Sequence, residues 1–285
     1  MRHKIFLPLS AGALGVVGLF LRRWELATAF EPDTGLSIPG MSATIALWVL
    51  SAAVVLLFLV LSFALRGDSE EGLQGNTPAL TLTVLGAFLW LGSAALECLT
   101  FGSRFREAAS LYAQGQGGNP MLAMLLPAIL AVLCLGSGVS LLSVGKACFR
   151  GSGVSRFSGT VLVPAYTCCV WLIAAYQVRA SDPVVQDYLY ELLAIICALL
   201  AFYYLAGSAF ERRRPGKTRF FALCGVYFAL VTLADGHTAA ELLRYGGCVC
   251  ALLPAALGHP LGPRMPQAQE DVSTEEGRME EPPHE

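Results

Sequence analysis

Long apolar runs alternate with short polar connections along almost the whole chain. The runs lie at 5–21, 43–65, 79–101, 121–144, 160–176, 188–210, 220–234 and 245–257. A helix needs about 20 apolar residues to cross about 30 Å of hydrocarbon at about 1.5 Å per residue. The last two runs are short, so they are expected to borrow flanking residues or thin the bilayer, and Pro254 makes the eighth the weakest crossing. Gly, Pro, Ser and Asn clusters at 67–78, 113–120, 149–159 and 180–187 mark connections. Barrel strands would show segments of about ten residues with alternating polarity, and these runs do not alternate. The pattern therefore predicts an all-α fold, a polytopic transmembrane helical bundle of about eight spans over 1–257. The segment 258–285 is rich in Pro, Gln and Glu and reads as a disordered acidic tail.

Composition agrees with this reading. The 285 residues are 55% hydrophobic and 14% charged, where soluble proteins carry about 25% charged residues. A net charge of -2 with no basic stripe interleaved with aromatics excludes nucleic-acid binding. The nine cysteines fall almost entirely inside apolar runs, as small reduced core side chains do. Cys168–Cys169 and Cys248–Cys250 lack CxxC spacing, so no metal-thiolate site is expected. Trp24, Trp48, Trp90 and Trp171 lie in or beside spans, as interfacial or packing residues.

Charge distribution sets the expected threading. With the amino terminus inside, thirteen Lys and Arg fall on inner segments and six on outer ones, which by the positive-inside rule puts both termini in the cytoplasm. The connection ERRRPGKTR at 211–219 casts the largest vote. It reads first as a headgroup-solvated orientation signal and second as a site for an anionic lipid or partner. The start of the chain has the basic and apolar regions of a secretory signal, but Arg22 and Arg23 directly after the apolar run favour a retained anchor.

Charges within spans are costly and by default mark function. Glu97 lies near the end of the third run and Glu191 near the start of the sixth, so both fall at the outer face. Arg22, Arg23 and Glu25 leave the first span on that side, and Asp235, His237 and Glu241 connect the seventh and eighth. These eight residues form a candidate outward-facing vestibule, in which Arg22 or Arg23 would neutralise Glu97 or Glu191. The bland alternative is that every helix simply ends there.

His237 and Glu241 share a helical face at the spacing of metal-ligating pairs. A catalytic zinc site needs three ligands and an open position, and His3, His259 and His284 are all expected on the inner side. T-x-x-E at Thr238–Glu241 also reads as a helix capping box. Asp33-Thr34-Gly35 has the D-T-G signature of aspartic proteases, yet after Pro32 it reads as a turn. Phosphate loops, nucleophile elbows and H-E-x-x-H motifs are absent from the sequence. No cofactor and no metal are expected.

The stretches RRWELATAFEPDTGL at 22–36, DYLYELL at 187–193 and YFALVTLADGH at 227–237 resemble a group of uncharacterised multi-pass membrane proteins of anaerobic bacteria. The resemblance implies a bacterial inner-membrane location and carries no activity. The first expectation is thus a protein that binds or passes a small solute or ion, its partners being that ligand and the lipid bilayer. A non-transporting scaffold or signalling accessory comes second and a metal-dependent membrane hydrolase third. Nothing in the pattern fixes the oligomeric state.

Overall fold

A computed structural model of the protein describes residues 2–31, 36–64, 77–115, 118–150, 158–179, 184–209 and 214–256. The D-T-G triplet and the acidic tail from 258 lie outside the described residues. Among the described residues the chain is helical, with one isolated bridge between Phe30 and Ser37. The helices are α1 (Arg2–Thr28), α2 (Ser42–Ala64), α3 (Thr77–Ala113), α4 (Pro120–Phe149), α5 (Ser158–Val161), α6 (Val163–Arg179), α7 (Val185–Ala209), α8 (Pro215–Thr232) and α9 (Ala239–Ala256).

Six helical segments are long and apolar enough to cross a membrane: α2, α3, α4, the α5–α6 segment from Gly159, α7 and α9. That is the make-up of an integral membrane protein. Large apolar side chains such as Leu9, Val49, Leu56, Val60, Phe88, Val132 and Val139 point away from the bundle, where only lipid suits them.

Helices α1 and α8 are not among the six. Helix α8 touches α1, α2, α7 and α9, and from Ala222 to Ala229 every residue is buried. An enclosed helix needs no lipophilic exterior, so its apolar run can be short and still be stable. Helix α3 departs from the expected run in the other direction. It continues past Phe101 to Ala113, 37 residues in all or about 55 Å, so Arg104 and Arg106 belong to a helical extension and not to a connection.

Small residues set the closest crossings, as is usual where lipid supplies no hydrophobic drive for helix association. On α3 and α9, a methyl group on Gly86 would stand 2.9 Å from the Gly247 carbonyl oxygen and the Ala251 nitrogen, and one on Gly247 would overlap the Trp90 ring. On α1, Gly15 and Gly18 admit Leu230 and Val231 of α8 in the same way. Polar pairs add direction between α4 and the α5–α6 segment, where Ser137 and Thr167 share a 2.6 Å hydrogen bond and Ser140 donates to the Thr160 carbonyl. Helices α8 and α9 thus form an inner hairpin flanked by α1, α2, α3 and α7, and its connecting turn comes to lie among the ends of α1 and α6 and the start of α7.

Candidate functional site

The turn between α8 and α9 is fixed locally. Asp235 accepts from the Thr232 hydroxyl at 2.9 Å, and its carbonyl accepts from the His237 N–H. Thr238 and Glu241 close a reciprocal cap: the Glu241 carboxylate accepts from the Thr238 N–H at 2.8 Å, and the Glu241 N–H donates back to the Thr238 hydroxyl. The T-x-x-E spacing therefore starts α9 by satisfying two of its free N–H groups. Glu241 also stands 3.8 Å from His237 Nδ1, while His237 Nε2 lies 3.1 Å from the Thr232 hydroxyl.

Arg22 enters this turn from the end of α1. Its Nε donates to Asp235 at 2.8 Å and its Nη1 to Glu25 at 2.7 Å. Its Nη2 donates to the Asp187 carbonyl at 2.6 Å. The side chains of Arg22 and Glu25 are wholly enclosed, and the guanidinium lies 5.3 Å from the centre of the Tyr190 ring. A buried guanidinium is tolerable only when its donors are spoken for, and Arg22 meets that condition with partners on α1, α7 and the α8–α9 turn.

A second centre forms where α3 meets α9. Arg244 donates to Glu97 at 3.1 Å, and Arg104 reaches the other oxygen of Glu97 at 2.8 Å. The Arg244 guanidinium sits 5.1 Å over Trp171, and its Nε is buried with no hydrogen-bond partner. The Trp90 indole N–H donates to the Arg244 carbonyl and Ser93 to the Ala240 carbonyl, so α3 grips the first turns of α9 directly.

Glu191 joins the two centres. Arg179 bridges it, at 3.5 Å, to Asp187, at 3.2 Å. The Tyr245 hydroxyl donates to its other oxygen at 3.4 Å, and the Tyr245 ring packs against Trp171 and His237. The result is a polar network at one end of the bundle whose two centres meet through the Trp171 and Tyr245 rings. Arg22, Glu25, Arg244 and Glu191 are its buried interior, and Arg104, Arg179, Asp187 and Glu241 its partly exposed rim.

Of the eight residues expected to line a vestibule, Arg22, Glu25, Glu97, Glu191, Asp235, His237 and Glu241 all lie in this network. Arg23 is exposed and points out of it. The pairings differ from those expected: Arg22 goes to Glu25 and Asp235, Glu97 to Arg244 and Arg104, and Glu191 to Arg179. Sequence reasoning missed Arg104, Arg179, Asp187 and Arg244 as members, and Tyr245, Trp171 and Thr232 as their supports. The signal for the three arginines is present, since all fall next to runs on the same side as Glu97 and Glu191, but charge counting uses them only as markers of orientation. Among the described residues, no group of three His, Cys, Asp or Glu side chains is placed to hold a metal ion, and Glu241 is already engaged in its cap. Compared with known proteins, the chain matches no family model, no curated sequence and no solved structure.

Proposed function

We propose that this protein crosses a bacterial cytoplasmic membrane about eight times, with α1 and α8 as the two crossings beyond the six apolar ones. In this reading its charged end faces outward and binds a small cation or cationic solute, with Glu191 as the principal acceptor. The carrying observation is the hold on Glu191, in a network of carboxylates (Glu25, Glu97, Asp187, Glu191, Asp235, Glu241), guanidinium groups (Arg22, Arg104, Arg179, Arg244) and the His237 ring. Glu191 is buried and yet held only at 3.4 and 3.5 Å, where a charge-assisted hydrogen bond ordinarily measures about 2.7–2.9 Å. A buried carboxylate so loosely held favours a further positive group, because its desolvation is incompletely offset.

The test is thermal unfolding of the purified protein in sodium, potassium, methylammonium or choline chloride at one ionic strength. A ligand that binds only the folded state raises the unfolding temperature. The reading expects one small cation to do so relative to choline, and Glu191→Gln to remove that shift while still giving a folded, monodisperse protein. Equal unfolding temperatures of the wild type in all four salts would overturn it.

A further inference from the structure

A second site lies at the opposite end of the bundle. The backbones of α2 and α7 stay apart, with α8 packed against both, so a cleft runs between them with α8 as its floor. Its larger part, about 750 Å³, is walled by Val55, Leu56, Leu193, Cys197 and Phe228 and begins beneath Tyr190. Phe220 also lines a smaller cavity of about 240 Å³ at the start of α8, together with Ser62, Tyr204, Gly216 and Lys217.

The smaller cavity is mostly apolar, with a positive corner at the start of α8. Pro215 has no N–H, and the Thr218 N–H already donates to the Arg214 carbonyl. The N–H groups of Gly216 and Lys217 therefore precede the first bond of an 18-residue helix and form the positive end of its dipole. Arg214 supplies no side-chain cap. The Lys217 ammonium stands 5.7 Å over the Tyr204 ring. Independently, Ser62 lines this space, and its buried hydroxyl has no hydrogen-bond partner. A buried hydroxyl without a partner is costly, and a ligand oxygen in the cavity would satisfy it.

We propose that the cleft holds one anionic phospholipid, its phosphate seated on Lys217, Ser62 and the first N–H groups of α8 and one acyl chain lying along α2 and α7. From Ser62 to Ser51, which also lines the larger cavity, α2 rises roughly 16 Å, so the channel is long enough for much of one chain. A free phosphate ion would use the small cavity and leave the apolar one unfilled; the neighbouring apolar cavity, with Phe220 on the wall of both, favours the lipid.

The probe is phosphatidylglycerol, with phosphatidylcholine as the uncharged comparison, read by native mass spectrometry of the detergent-purified full chain. One phosphatidylglycerol should remain bound under conditions that strip phosphatidylcholine. Lys217→Gln should lower its retention by about tenfold, the scale of one lost charge-assisted contact, and Ser62→Ala by less. Ala52→Phe, which places a ring in the larger cavity, should also expel the lipid while leaving Lys217 intact. Equal retention of the two lipids, unchanged retention in both Lys217→Gln and Ala52→Phe, or displacement by inorganic phosphate would each overturn the proposal.

Discussion

Arg22 and Asp235 stand 213 residues apart in the chain and 2.8 Å apart in space. Their contact ties the end of the first helix to the turn inside the α8–α9 hairpin, and neither side chain has appreciable access to water.

Breaking that pair from one side should be severe. Asp235→Asn or Glu25→Gln leaves a buried guanidinium short of charge, a class of change that costs about 3–5 kcal/mol. Arg22→Lys should fail to restore stability, because one ammonium cannot serve three diverging acceptors. Unfolding temperature and detergent-solubilised yield report this; a wild-type yield for Arg22→Lys would contradict it.

Glu97 and Arg244 should behave as a coupled pair. A double-mutant cycle with Glu97→Gln and Arg244→Gln is expected to show an interaction of about 0.5–3 kcal/mol. Arg104 remains near Glu97 in the Arg244 variant, so that single change should not abolish folding.

The α3–α9 crossing should be intolerant of a single methyl group. Gly247→Ala and Gly86→Ala drive a Cβ into the Trp90 ring or the facing backbone, which should cost about 1–3 kcal/mol by overpacking. Gly102→Ala, with nothing within 4 Å of the added atom, should instead stabilise the α3 extension by about 0.8–1 kcal/mol. The three variants differ only in position, so their unfolding temperatures separate packing from helix propensity.

Thr238→Ala should cost about 1 kcal/mol by removing the cap of α9, without changing bound metal. Washing the protein with a chelator should leave its unfolding temperature unchanged. A chelator-induced drop would mean that His237 and Glu241 are ligands after all.

Orientation can be read by labelling intact cells. With the native exposed cysteines replaced, Asp182→Cys should react with an impermeant maleimide and Arg214→Cys should react only after permeabilisation. The reverse pattern would invert the threading and place the charged end in the cytoplasm.

Hydropathy alone determined that the chain is a bundle of membrane-length helices, and it grouped Arg22, Glu97, Glu191 and Asp235 at one end. It could do so because each residue's preference for lipid or water is a local property, and helices that cross alternately bring alternate connections together. The partner of each charge was not legible. Whether Arg22 meets Glu97 or Asp235 depends on which helices are neighbours and how each is rotated, and those are set by glycine contacts such as Gly86 with Gly247, between residues far apart in sequence. The same packing decided that α8 lies inside, which let its apolar run be short, and it left α2 and α7 apart with Ser62 lining a cavity. Side chains that lipid or water would accept equally well from the pattern were given distinct surroundings only when the helices closed on one another.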